Sequence, residues 1–288
     1  MSIKLIDVSY TYSQGTPFER KALTDISLSI DKGEIIAIIG HTGSGKSTLV
    51  QHLNALLRPQ KGSIIIDEVD AASKTAEGKA ARQRVGMVFQ YPEHQLFAET
   101  VEEDIAFGPL NRGFSQEEAA KQVKEAMRFV GLDYDTYAKR SPFQMSGGEM
   151  RRVAVAGVIA LNPDYLVLDE PSAGLDPLGR RNVYKEIMEL HKTRKIAIVV
   201  VTHSMDEAAE YADRILVVNQ GELLLDGRPE EIFTKHGEEL LRVGMDLPQT
   251  YKLGELLKQK GLKLKGSSLD RKALVKGICA AKGWKYVK

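Results

Sequence analysis

The chain has 288 residues, 43% hydrophobic and 27% charged, enough apolar content for a packed core and a length that suits one large domain or one domain with an appendix. No apolar run approaches the ~20 residues that cross a bilayer, residues 1–7 lack a signal peptide's long apolar region, and the single cysteine, Cys279, excludes an internal disulfide and fits the cytosol. The net charge of +1 is unevenly spread: residues 251–288 carry eleven Lys/Arg against Glu255 and Asp270, a local +9, so the remainder carries −8. That break in composition predicts a separate C-terminal unit.

Residues 3–10 and 22–30 alternate apolar and polar side chains, as half-buried strands do, with a turn at Gln14-Gly15-Thr16-Pro17 between them. The apolar run 34–39 predicts a further strand, which leads into Gly40-His41-Thr42-Gly43-Ser44-Gly45-Lys46-Ser47-Thr48 and then a helix. The spacing G-x-x-x-x-G-K-S is that of a phosphate-binding loop. Its glycines let successive backbone N–H groups turn toward one anion, and the helix start adds unpaired N–H groups and a positive dipole end. On this reading residues 40–48 hold a nucleoside triphosphate, Lys46 reaches its β- and γ-phosphates and the Ser47 hydroxyl ligates Mg²⁺. A glycine-rich turn that matches by chance is the alternative; a strand before it and a helix after it argue against that.

After a break at Arg58-Pro59-Gln60-Lys61-Gly62, a strand is expected at 63–67, a charged surface excursion at 68–84 ending in an Arg-bearing helix, and a buried strand at 85–89 with Gln90 at its end. Ala119, Val123, Ala126, Met127 and Val130 follow helical spacing, with Ser115 and Glu118 as capping box and Gly131 as terminator. A second helix is expected from Ser146. Residues 165–168 and 196–201 read as strands, the latter almost wholly apolar, as central parallel strands are. Strands alternating with helices indicate an α/β domain.

Phosphate loops serve many nucleotide machines, and a second motif decides among them. Met145-Ser146-Gly147-Gly148-Glu149-Met150-Arg151-Arg152-Val153-Ala154 resembles the signature sequence of ATP-binding-cassette ATPases. Ser146 and Glu149 also form an S-x-x-E capping box, but glycine costs about 1 kcal/mol relative to alanine in a helix, so Gly147 and Gly148 make better sense where a phosphate or another backbone comes close. The resemblance implies an α/β phosphate-loop NTPase of ABC type over residues 1–235: a mostly parallel core sheet, an antiparallel β subdomain and a helical signature subdomain at about residues 91–160. It also implies a pair of subunits, in which Ser146, Gly147 and Gly148 contact the γ-phosphate held by the other one. The family usually has Gln where Glu149 stands, and a carboxylate there brings negative charge near that opposing site.

The same resemblance assigns the remaining site residues. Asp169, ending an apolar strand, holds Mg²⁺ through water; Glu170 orients and polarises the attacking water; Ser172 and Asp176 bound the loop through which the two sites communicate. His203 corresponds to a switch histidine on the γ-phosphate, and its place after a parallel strand is where α/β ligands bind. Gln90 corresponds to the residue linking Mg²⁺ to the membrane partner. Tyr12 corresponds to the aromatic that stacks on adenine; Tyr10 is a second candidate, and a core role is open for that aromatic.

Residues 90–97 and 100–109, with 146–157 and 168–177, narrow the resemblance to the ATPases of energy-coupling-factor transporters, bacterial importers of vitamins and transition-metal ions, and to the second of their two ATPases more than the first. Those ATPases carry a small C-terminal helical domain, which here implies a dimerisation unit at 236–288. The implied ligands are ATP and Mg²⁺. The implied partners are a second ABC ATPase subunit, giving a heterodimer, an integral-membrane coupling subunit and a substrate-binding membrane subunit, with no nucleic acid. The implied place is the cytoplasmic face of the bacterial membrane. A groove from Gln90 through Leu96 and Phe97 to Asp104, with Glu93, Glu102 and Glu103, is the candidate seat for the membrane subunit, though Leu96 and Phe97 also suit the core. In the tail, Leu253, Leu256 and Leu257 share one helical face, and a second helix with Ala273, Leu274 and Ile278 buried is expected from Ser267-Ser268; these faces meet the partner's tail, or the lysines simply form a solvated face. The rival reading, a soluble cassette ATPase of DNA maintenance or translation, requires a long inserted coiled coil or a second cassette.

Overall fold

Strand β1 (Ser2–Tyr12) pairs antiparallel with β2 (Arg20–Asp31) in a computed structural model that describes residues 1–264 and 266–285. Lys265 and Lys288, counted in the basic tail, lie outside the described residues. The alternation ends in register shifts beyond Leu5, where Asp7 takes a left-handed φ of 50°. Strand β3 (Ile35–Ile39) is buried throughout and feeds helix α1 (Lys46–Leu53). Strands β4 (Lys61–Ile66) and β5 (Val69–Asp70) complete an antiparallel sheet of order β2-β1-β4-β5. Helix α2 (Ala76–Gln83) then leads to β6 (Val85–Val88).

The helical subdomain follows: α3 (Val101–Asn111), α4 (Gln116–Phe129), α5 (Tyr134–Tyr137) and α6 (Gly147–Ile159). Thr100, Ser115 and Ser146 cap α3, α4 and α6, each with a glutamate three residues on returning to the cap's own N–H. Strand β7 (Tyr165–Asp169), helix α7 (Pro177–Arg194), β8 (Ala197–Val201), α8 (Met205–Tyr211), β9 (Arg214–Asn219) and β10 (Glu222–Gly227) close the main sheet. Its order is β10-β9-β3-β8-β7-β6, parallel except for β10. The central strands are almost wholly apolar because both faces are covered. Tyr165, Val167, Ala197 and Val199 face the antiparallel sheet, while Leu166, Leu168, Ile198 and Val200 face the helical subdomain and α7.

The C-terminal helices are α9 (Pro229–Lys235), α10 (Gly237–Arg242), α11 (Gln249–Gln259) and α12 (Arg271–Lys282). They do not hang from a linker. Phe233, Leu240, Met245 and Leu269 share one apolar cluster with Ala37, Ile39 and Met205 of the cassette, and the Gln249 N–H donates to Asp206 at 2.8 Å. Helix α12 starts at Arg271 rather than near Ser267-Ser268. Asp270 supplies the cap by accepting from the N–H groups of Lys272 and Ala273, whereas Ser268 is buried and Ser267 bonds Glu230. Leu274 is buried and Ala273 and Ile278 half-buried, but Leu253 and Leu256 stay 45% and 47% exposed.

Candidate functional site

Parallel registers bring four strand ends to one edge. Ile38 lies beside Val201, Val201 beside Asp169, and Leu168 beside Val88. The residues that follow each strand (Gly40, Thr202-His203, Glu170 and Gln90) therefore gather at the C-terminal edge, where α/β folds bind ligands.

The phosphate loop is a tight cradle. A Cβ on Gly40 would sit 2.2 Å from the Val218 carbonyl oxygen, and one on Gly45, at φ 110°, would sit 2.7 Å from that of Ala22. Both obstacles are backbone, so only glycine fits. Gly43 also takes a positive φ. Lys46 donates to the carbonyls of Gly40 (2.7 Å) and His41 (2.9 Å), and burial pushes its ammonium below its ordinary pKa, against the pull of Glu170 and Asp169. The Ser44 hydroxyl is buried without a partner, a condition that costs about 1–3 kcal/mol until an acceptor or donor arrives. His41 is fixed by Thr42 O and Asn219 Oδ1 at 2.8 and 3.1 Å. Thr48 bonds the Tyr12 hydroxyl at 3.3 Å. Tyr12 stands on the rim of the cleft that holds Lys46, Ser47 and Thr48, while Tyr10 lies edge-on between Tyr12 and His52 against the core. Of the two aromatics, Tyr12 is thus the one at the cleft.

The Asp169 carboxyl is pushed up by burial and by neighbouring Glu170, against the pull of Lys46, His203 and the Ser47 hydroxyl. Glu170, at a left-handed φ of 51°, is held at both oxygens: Gln90 Nε2 donates to one at 3.0 Å and His203 Nε2 lies 2.7 Å from the other. A hydroxyl, a carboxylate and an amide oxygen form a donor set that suits Mg²⁺, which completes its shell with water and phosphate oxygens. Among the described residues no cluster of three or more His, Cys, Asp or Glu side chains is placed to hold a metal.

The signature stands apart from the cradle. Ser146, Gly147 and Gly148 are exposed at the start of α6, and nothing lies within 4 Å of a Cβ built on either glycine. Glu149 does not project from this turn. It accepts from the Ser146 N–H (2.9 Å), the Ser146 hydroxyl (2.7 Å) and the Tyr137 hydroxyl (2.9 Å). These bonds pull its carboxyl down to about 2. Asp176 caps α7 through the Gly179 N–H, and Ser172 donates to Glu207.

Sequence reasoning missed several supports. Arg20, opposite Tyr12 in the β1–β2 register, reaches the Gly43 carbonyl at 3.4 Å; the turn at 14–17 is the signal that pairs the two positions. The β9–β10 turn braces the loop through Gly221 N to Ser44 O at 2.8 Å. Arg151, buried in α6, donates to the carbonyls of Ala173 (2.9 Å) and Glu170 (3.1 Å) and ties the signature helix to the acidic strand end.

Residues 23–173, more than half the chain, match the ABC transporter family model. The energy-coupling factor transporter ATP-binding protein EcfA2 of Clostridium tetani is 52% identical over 92% of this chain and 91% of its own length. The chain belongs to the ABC ATPases of energy-coupling factor transporters. The Bacillus licheniformis EcfA2 is 49% identical over 90% of each chain. In structure, CbiO1 of Clostridium perfringens, part of the ABC transporter complex CbiONQ, matches with a TM-score of 0.73 at 35% identity over 89% of this chain and 98% of its own. The ATP-binding cassette MJ0796, in a dimeric post-hydrolysis state bound to ADP and phosphate, gives 0.69 at 29% identity over 79% of this chain and 98% of its own. This energy-coupling factor ATPase thus has the expected fold, binds ATP and hydrolyses it as a transporter subunit.

Proposed function

We propose that this subunit pairs head-to-tail with a second, different ATPase at the cytoplasmic face of the membrane. Beneath an integral-membrane coupling subunit and a substrate-binding membrane subunit, the pair powers uptake of a vitamin or a transition-metal ion. The carrying observation is the exposed Ser146-Gly147-Gly148 turn, with nothing within 4 Å of a Cβ built on either glycine, in a protein whose phosphate cradle is otherwise complete. Each ATP then lies between one subunit's cradle and the other's signature. Lys46 and the N–H groups of residues 40–48 hold the phosphates, and Tyr12 meets adenine. Ser47, Asp169 and Gln90 would hold Mg²⁺, which would supply neutralising charge to the phosphate oxygens. Glu170 polarises water while His203 steadies the γ-phosphate; no covalent intermediate is needed. ATP favours the closed pair, and that differential affinity drives the membrane partner. A DNA-maintenance role lacks support, since α2 to α5 between the motifs are short helices. The Glu149 charge is shared with Ser146 and Tyr137, which lessens its reach toward the partner's ATP.

Leu96 is buried in the helical core, but Phe97 is 58% exposed and meets the exposed Phe107 edge-on at 4.8 Å. The neighbouring carboxylates are mostly committed inside the subunit. Asp104 accepts from the N–H groups of Phe97 and Ala98, Glu103 caps α3, and Glu102 bonds Tyr134 and Lys139. The docking groove is therefore aromatic more than acidic. Phe97→Ala is expected to lower uptake and co-purification of membrane companions about fivefold or more while sparing ATP binding. Intact uptake and co-purification would remove the groove from the account.

In the tail, exposed Leu253 and Leu256, with Trp284 at 63% exposure, form the proposed face toward the partner's tail, and the surrounding lysines favour an acidic counterpart. Leu253→Ser with Leu256→Ser is expected to loosen pairing without ATP, and wild-type pairing is expected to weaken as salt rises. Sedimentation at low and high salt reads both; equal pairing in all cases would leave the lysines as a solvated face.

A further inference from the structure

Hydroxyl groups from three separate elements converge on the carboxylate of Glu207 in α8. Ser172, in the loop after Glu170, donates to Oε1 at 2.8 Å. Tyr184 of α7 and Thr202 at the end of β8 donate to Oε2 at 2.9 and 2.8 Å. A carboxylate has about four lone-pair directions, so it takes all three donors without competition. Burial and the nearby carboxylate push the Tyr184 phenol far up, which keeps it a donor, and its ring is stacked on Tyr211 at 4.4 Å. The Thr202 hydroxyl also accepts from the Ser204 N–H at 3.0 Å, and the Ser204 hydroxyl accepts from the Glu207 N–H at 3.2 Å. The residues on both sides of His203 are thus tied to each other by one hydroxyl, which donates to Glu207.

We propose that Glu207 is a positioning residue that couples the loop at 172–176 to the switch histidine. When a partner's nucleotide site moves that loop, Ser172 pulls on the carboxylate, and the carboxylate resets Thr202 and with it the direction of His203 toward Glu170. If the loop withdraws Ser172, the half-buried carboxylate keeps Tyr184 and Thr202 as donors, so its bonded and released arrangements differ by one hydrogen bond. The inference rests on the reading of 172–176 as the inter-site loop and of His203 as the γ-phosphate contact.

The test measures ATP hydrolysis by the assembled transporter. Glu207→Gln keeps size but replaces one acceptor oxygen by a donor; it is expected to lower kcat about tenfold with KM within about twofold, and Ser172→Ala, harmful alone, is expected to add little in that background. An unchanged kcat in Glu207→Gln, or losses that multiply in the double variant, would overturn the coupling. If Glu207→Gln does not fold, Ser172→Ala and Thr202→Val form the same cycle, with overlapping losses expected and multiplying ones contrary. Normal turnover after Ser172→Ala alone also ends this inference, yet leaves the reading of Lys46, Asp169 and Glu170 intact.

Discussion

Replacing Glu170 by Gln is expected to leave ATP affinity near wild type and to lower turnover at that site by ~10²-fold or more. The amide has the carboxylate's shape, so the left-handed turn after Asp169 is preserved, as is the support that Arg151 gives to the Glu170 carbonyl. What is lost is an acceptor for the proton of attacking water. Both Glu170 oxygens are engaged, one by Gln90 and one by His203, so the residue is aimed before any nucleotide arrives. Phosphates need only draw those neighbours aside to free the carboxylate for water. ATP should then hold the variant pair closed, because hydrolysis no longer reopens it. Near-normal single-turnover hydrolysis in Glu170→Gln would remove the assignment.

Lys46→Ala acts on the earlier step. The Lys46 ammonium rests on two carbonyls of the loop, a position from which it meets incoming phosphates while balancing Asp169 and Glu170. Without it those carboxylates face a triphosphate with no buried counter-charge, and ATP affinity is expected to fall ~10²-fold or more. The fold should survive, since β3 and α1 are anchored by Ile36, Ile38, Leu49 and Leu53 in the core. Titration with a fluorescent ATP analogue reads the change; unchanged affinity would mean that the backbone cradle alone carries binding. The pair of variants separates the two roles: Glu170→Gln binds without turning over, and Lys46→Ala fails to bind.

Much of this site was legible because its residues are local in sequence. A strand, a glycine turn and a helix lie within residues 34–53, and Asp169-Glu170 follows its own apolar strand, so pattern and chemistry coincide there. The supports were hidden because they act across long separations through ordinary residues. Arg151 looks like any charged position in a helix until its guanidinium is seen beneath Ala173 and Glu170. Asn219 and Gly221 act from a turn whose strands carry no motif. The two glycines of the signature are exposed with open space beside them, and Glu149 reads in the sequence both as the capping partner of Ser146 and as a charge near the opposing site. Its capping bonds to Ser146 were legible, and its bond to Tyr137 depends on how α5 packs beside α6. The tail's composition predicts a C-terminal unit, but charge reports only its surface and not how that unit packs. Leu240, Met245 and Leu269 bind it to the cassette core.

ATP turnover by the assembled transporter carrying Ser146→Arg, in this subunit alone, tests the composite site most directly. Ser146 touches nothing in its own subunit's phosphate cradle, so the isolated variant should bind ATP as wild type does. In the assembly, an arginine at the start of α6 should block approach of the partner's γ-phosphate, and turnover at that partner site is expected to fall ~10-fold or more. Full turnover with Ser146→Arg, or loss of ATP binding by the isolated variant, would contradict a signature that serves the opposing subunit.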